Sequence, residues 1–268
     1  MLPTPEEIVL KVQESVKYRE IWPPVIRRLA AQESKKKRNL KKCVKAVKST
    51  LHQVGGVYYH RKIDFKYWTE ELRQAENING MKITCQKMMG YHVSTQERMP
   101  YFEEMYNEVF SNIGPIQSIV DLGSGLNPLG LLWMPVDKKV RYDAYDIFID
   151  QTDFLNFFLD KIERPGLAHL CDISNEPPQV EADVAFILKV LPILSHFQNC
   201  NALTFLQNIR VRWLIVSYPV ASLGGHDKGM ALNYSSRFEK MVTGESWTIQ
   251  KKIYPSELVY IIDKQPQT

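Results

Sequence analysis

Apolar positions in the first fifty residues recur at helical spacing. Ile8, Val12 and Val16 fall at i, i+4 and i+8. Ahead of them stand Thr4 to cap, Pro5 for the first helical position and Glu7 to close a capping box. Trp22-Pro23-Pro24 breaks the pattern, and residues 24–33 predict a second helix with Val25, Ile26 and Leu29 inward and Arg27 and Arg28 outward. Leu40, Val44, Val47 and Leu51 form a third apolar stripe, stopped by Gly55-Gly56. Another capping-box pattern, Ser94-Thr95-Gln96-Glu97, predicts a helix running to about Ser111 with Met99, Phe102, Tyr106 and Phe110 inward, ended by Gly114-Pro115.

From there the pattern changes to apolar strands alternating with helices. The expected strands are 117–122, 140–146, 167–171, 183–189 and 211–217; the expected helices lie near 127–134, 151–162 and 200–209. Such alternation predicts an α/β fold, a parallel sheet covered by helices on both faces. Residues 247–254 and 257–263 read as a terminal antiparallel hairpin on that sheet. The expected organisation is a small helical domain over residues 1–80 and an α/β domain over 81–268.

Charge sharpens this division. The whole chain is +4, but residues 1–62 hold 15 Lys+Arg against 5 Asp+Glu, a net +10, and the rest is −6. Between Lys35 and Lys48 there are eight basic residues and no acid, so the i, i+4 pairing of an ordinary solvated helix is missing there. Such a front is expected to meet a polyanion. Lys35, Lys36, Lys37, Arg38, Lys41, Lys45 and Lys48 are the expected nucleic-acid contacts. No apolar run reaches transmembrane length, no secretory signal opens the chain, and the four cysteines lack metal-ligand or disulfide spacing. No membrane and no metal are therefore expected, and the cytoplasm is the expected compartment.

Candidate chemistry sits at the strand ends. Asp121-Leu122-Gly123-Ser124-Gly125 closes the first strand with an acid and two glycines, which allow a tight turn and close backbone approach to a ligand. Asn127-Pro128 stands where a dinucleotide fingerprint has its third glycine, which disfavours a nicotinamide enzyme. Asp146, 23 residues after Gly123, can accept two ribose hydroxyls. Asp143 would lie inside its strand. Asp172 can take an adenine amino group, with Ile173 packed on the ring. Together these point to an adenosine-containing ligand, with S-adenosylmethionine (SAM) favoured over NAD.

Four segments then carry a family resemblance. They are His92 to Arg98 (HVSTQER), Asp121 to Leu131 (DLGSGLNPLGL), Phe186 to Leu194 (FILKVLPIL) and Ser217 to Glu239 (SYPVASLGGHDKGMALNYSSRFE). In this order they resemble the bacterial aminoglycoside-resistance methyltransferases of 16S ribosomal RNA, which modify the N7 of one guanine in the decoding A site. The resemblance implies a Rossmann-like class I SAM-dependent methyltransferase domain behind the helical module. It implies that Tyr58, His92, Val93, Ser94, Arg98, Gly123, Gly125, Asp146, Asp172, Ile173, Leu188 and Gln198 surround the cofactor, with Arg98 on the methionine carboxylate. Lys189 would stand beside the target base as the catalytic positioning residue, and the 222–230 loop, with Lys228 and Met230, would close over the RNA. The implied partner is the assembled 30S subunit, met by a monomer. Gly123-Ser124 and His226 depart from the Ala-Cys and Arg often found in that family; the second removes a cation from the RNA-facing loop. A methyltransferase of another RNA nucleotide, such as an A-site adenine, and a non-catalytic RNA-binding factor are the alternatives.

Overall fold

The computed structural model describes residues 2–36, 38–56, 62–194, 197, 201–220 and 229–265. Three helices open the chain: α1 (Pro5–Gln13), α2 (Pro23–Ser34) and α3 (Leu40–Leu51). Thr4 and Glu7 form the expected capping box on α1. Val16 lies beyond the end of α1 and is exposed; Val9 joins Ile8 and Val12 in the core instead. A π-helical turn over His52–Gly56 ends α3. Next come α4 (Phe65–Gln74) and α5 (Ile78–Met89), each capped by an Asp or Asn side chain: Asp64 and Asn77.

The single helix expected over 94–111 is two helices, α6 (Val93–Arg98) and α7 (Phe102–Ile113). Pro100 lies between them; it has no amide hydrogen to donate and its ring clashes with the preceding turn, so the helix cannot run through. His92, not Ser94, occupies the cap position of α6, and no side chain caps it. Gly114, with φ +74°, ends α7 as expected.

The sheet is built from β1 (Ser118–Leu122), β2 (Arg141–Asp146), β3 (Ala168–Leu170), β4 (Glu181–Leu188), β5 (Arg210–Pro219), β6 (Thr248–Ile253) and β7 (Glu257–Asp263). Between them lie a 3-10 helix (Asn127–Leu132), α8 (Ile149–Lys161), α9 (Leu191–Leu194), α10 (Ala202–Asn208) and α11 (Met230–Met241). The order across the sheet is β3-β2-β1-β4-β5-β7-β6, parallel except for β7, which runs antiparallel to both β5 and β6. This is the α/β architecture and terminal hairpin read from the sequence.

Strand alternation sorts the core into two layers. Val120, Leu122, Ala185, Ile187, Leu214 and Val216 face α1–α3, α10 and α11, whereas Ile119, Tyr142, Val184, Phe186 and Ile215 face α4, α5, α7 and α8. The basic front helices are thus laid directly on one sheet face. Backbone bonds join them to it: Trp22 N–H donates to Ile147 O at 2.8 Å, and Ile149 N–H to Glu20 O at 2.8 Å.

Candidate functional site

One cavity opens at the carboxyl ends of β1, β2 and β4, with about 880 Å³ of empty space that continues into solvent. A right-handed parallel sheet presents its ligand site at this edge. The loop after β1 is held by Gly123 and Ser124 N–H groups, which both donate to Tyr145 O at 2.8 and 3.1 Å. Gly123 and Gly125 have φ of +68° and +50°. A Cβ on Gly123 would stand 2.8 Å from the Val190 side chain, and one on Gly125 2.8 Å from the His92 ring. Both positions therefore need glycine for backbone conformation and for space.

Asp146 lies at the cavity wall. Its Oδ2 accepts from Gly125 N–H at 2.8 Å and its Oδ1 from Ile147 N–H at 2.7 Å. Burial pushes its carboxyl above the ordinary value, against the pull of these donors. Asp172, Ile173, Leu188, Ser94, Arg98 and Lys189 also line the cavity. His92 is buried and packs on Gly125, its Nδ1 3.3 Å from Thr95 Oγ1. Val93 is buried at the start of α6, but it is not among the residues that line the cavity. Asp121, whose neighbour Ile119 faces the α7 layer, points the same way and stays outside the cavity. It accepts from Tyr142 OH at 2.6 Å and Asn127 Nδ2 at 2.9 Å, and burial raises its carboxyl to about 6. Asp143 sits within β2, accepting from Leu167 N–H at 3.1 Å, as its position in the strand predicts.

The basic side of the site is already partnered. Arg98 Nε donates to Glu257 Oε1 at 2.8 Å and Nη1 to Asn127 Oδ1 at 3.0 Å; both ionic side chains are almost fully buried. Lys189 Nζ lies 2.6 Å from Glu97 Oε2 and 3.5 Å from Glu257 Oε1. Burial works to raise the Glu257 carboxyl, but Arg98 and Lys189 outweigh it and hold the group below its ordinary value. Lys189 has φ +60°, rare for a side-chain-bearing residue, and its N–H is fixed by Ser217 O and Oγ at 3.1 and 3.0 Å. A strained residue at a strand end in a cavity is a functional candidate on geometry alone.

Four contributors escaped sequence reasoning. Glu257 carries no motif signal, and Glu97, read only as a helix-capping residue, turns out to pair with Lys189. Asn127, read as a missing glycine, receives Arg98 and the Tyr106 hydroxyl (2.7 Å) and donates to Asp121. Arg28, expected outward, turns to the cavity edge: its Nε donates to Asp172 Oδ2 at 2.7 Å.

The expected RNA contacts fall on the α2–α3 corner. Lys35, Lys41 and Lys45 are exposed, and Lys48 is half-buried with Nζ 5.9 Å from the Tyr18 ring centre. Lys36 and Arg38, also exposed, pair with Glu33 at 2.6 and 3.2 Å. Met230 is half-buried at the first residue of α11. Lys37, Tyr58, Gln198, His226, Lys228 and positions 222–228 of the expected closing loop lie outside the described residues. Among the described residues no cluster of His, Cys, Asp and Glu could hold a metal ion, and no helix is long and apolar enough to cross a membrane.

The residues present fit an adenosyl cofactor. They offer a glycine loop with no room for a Cβ, the carboxylates of Asp146 and Asp172, apolar Ile173 and Leu188, and the Arg98 guanidinium, all lining one cavity. A 16S rRNA (guanine(1405)-N(7))-methyltransferase of Frankia casuarinae is 31% identical over 96% of this chain and 94% of its own. One of Serratia marcescens is 30% identical over 96% and 98%. The solved structure of the 16S rRNA methylase RmtB is 26% identical, with a TM-score of 0.80 over 98% of this chain and all of its own. The model of the family described as ribosomal RNA methyltransferase (FmrO) matches residues 14–261. On this fold, this cavity and that near-complete match, the chain belongs to the FmrO family of ribosomal RNA methyltransferases.

Proposed function

We propose that the protein transfers a methyl group from SAM to N7 of guanine 1405 in 16S ribosomal RNA, and thereby confers resistance to gentamicin- and kanamycin-type aminoglycosides. The substrate is the assembled 30S subunit, met in the cytoplasm by a monomer. The observation that supports this reading best is the cavity itself: Asp146 locked to the Gly125 amide, with Arg98 and Lys189 lining the same space, in a chain of this family.

When bound, SAM supplies an electrophilic methyl carbon on a sulfonium. Guanine N7 has a lone pair and no proton, so no residue has to remove one. The chain's task is placement. Asp146 accepts the ribose hydroxyls, Asp172 takes the adenine amino group, and Ile173 and Leu188 flank the ring. Arg98, oriented by its bonds to Glu257 and Asn127, lines the cavity and receives the cofactor carboxylate. Lys189, held rigid by Ser217 and poised between Glu97 and Glu257, meets the target base on the open side. A base in helical RNA must leave its stack to reach this depth, at a cost of a few kcal/mol. Contacts from Lys189 and the 222–230 loop offset that cost.

Residues 1–80 form the RNA-binding part, with the phosphate grip on Lys35, Lys36, Lys37, Arg38, Lys41, Lys45 and Lys48, extended by Lys228 and Met230. Tyr58 and Gln198 complete the cofactor's surroundings. The edge strand β6 carries Lys251 and Lys252, which discourages edge-to-edge pairing and supports a monomer.

Methylation leaves the purine cationic and removes its N7 acceptor, so a polycationic drug loses a hydrogen bond and meets like charge. Expression in a drug-sensitive bacterium tests this: resistance to gentamicin and kanamycin should appear with the wild-type chain and fall away with Lys189→Ala at equal protein level. Unchanged sensitivity with the wild-type chain, at full 30S methylation, would refute the resistance claim.

A further inference from the structure

We infer that Arg28, from the basic front helices, is a positioning residue of the cofactor cavity that sets its preference for an adenine base by fixing Asp172. The inference rests on the cofactor reading above. Asp172 follows the short strand β3 in an irregular segment, where an aspartate side chain has little to hold it. Here both of its oxygens are engaged. Arg28 Nε donates to Oδ2 at 2.7 Å, Ser174 Oγ donates to Oδ1 at 2.6 Å, and Arg28 Nη2 donates to Ser174 Oγ at 2.7 Å. The three side chains close a ring of hydrogen bonds. The guanidinium carbon lies 5.0 Å from the centre of the Phe197 ring, which is itself buried and lines the cavity.

The pair is well shielded, with side-chain exposures of 20% for Arg28 and 13% for Asp172. Solvent therefore screens it less than a surface pair. Arg28 comes from 144 residues earlier in the chain. One turn before it on α2, Val25 lines the same cavity, so this helix face is a wall of the site.

The specificity argument is one of donors and acceptors. A carboxylate offers only acceptors, and each Asp172 oxygen keeps a lone pair after its bond to Arg28 or Ser174. Held in one orientation, it favours a purine with an amino group at position 6 over one with a carbonyl there, because the carbonyl would set acceptor against acceptor. Without Arg28 the carboxylate can turn, and the selection weakens.

Calorimetric titration of the full chain with S-adenosylhomocysteine and S-inosylhomocysteine tests this. Wild type should prefer the adenosyl compound by about tenfold or more, the worth of one charge-assisted hydrogen bond. Arg28→Gln should weaken adenosyl binding by about tenfold and cut the preference to about threefold or less. Arg28→Lys keeps the charge but cannot bridge Asp172 and Ser174 together, so it should fall between the two; it carries the test if Arg28→Gln does not fold. An unchanged preference in the Arg28 variants, or an equal loss for both ligands, overturns the inference and leaves Arg28 a packing residue. Wild type that binds neither ligand overturns the cofactor reading, and this inference with it.

Discussion

Lys189 is where the backbone concedes most to the site. A lysine at φ +60° costs roughly 1–3 kcal/mol, and Ser217 and the β4–β5 pairing must hold it there. If Lys189 acts on the target base as proposed, Lys189→Ala should lower methyl transfer strongly while leaving S-adenosylhomocysteine affinity within about twofold; calorimetry beside a methylation assay separates the two, and a large loss of cofactor binding would count against the role. Arg98 is different in kind. Removing it leaves the fully buried Glu257 with Lys189 as its remaining cation, so Arg98→Ala should destabilise the fold by about 3–5 kcal/mol in urea unfolding. Asp121 gives a pH signature. Its carboxyl is raised to about 6 by burial, so the native state binds a proton that the unfolded state has released above pH 4. Its contribution to stability should therefore fall as pH rises from about 4 to 6, by up to about 1.4 kcal/mol per pH unit, and level off above that. Comparing urea unfolding of wild type and Asp121→Asn across this range should show wild type losing ground; parallel curves would contradict it.

At the scale of elements, the sheet was legible because its strands are short apolar runs separated by helices, buried on both faces. Val120 and Leu122 face one layer and Ile119 the other, and β7 spans the apolar run 258–262 with an acid at each end. Legibility failed where a local signal competed with a longer pattern. The Ser94–Glu97 pattern resembled a helix start, yet the cap falls at His92, two residues earlier, and Pro100 ends the helix after Arg98. α5 buries Cys85, Met88 and Met89 with little amphipathic contrast, so its stripe did not stand out, and α11 was hidden behind a glycine-rich segment. The site divides in the same way. Gly123, Gly125, Asp146 and Asp172 were readable from strand-end spacing. Glu257 lies 159 residues from Arg98, and Arg28 lies 144 from Asp172. No spacing rule joins such partners; only the β3-β2-β1-β4-β5-β7-β6 order and the seating of α2 bring them together. On α3 the exposed lysines make a separate prediction. Lys41→Glu with Lys45→Glu should greatly weaken 30S binding, flatten its salt dependence and leave S-adenosylhomocysteine binding unchanged. These two are chosen because Lys48 also packs toward Tyr18.

For the whole molecule, the charge of +4 conceals a +10 front and a −6 remainder, but the structure does not keep the two apart. α1–α3 bury their apolar stripes on the sheet, Val25, Val54 and Gly55 wall the cofactor cavity, and Arg28 reaches Asp172 in its lining. The surface proposed to grip RNA and the cofactor cavity are therefore built on shared helices, and neither is expected to work as an isolated fragment. Binding to 30S should weaken steeply between low and physiological salt, whereas cofactor binding should not. The most direct test of the account is methyl transfer from labelled SAM to purified 30S subunits, with naked 16S RNA beside them and the labelled nucleotide located by mass mapping. The account predicts close to one methyl per 30S subunit, on N7 of guanine 1405, and little on naked RNA. Label on an adenine or at another position, or no transfer by a chain that binds the cofactor and the subunit, would contradict it.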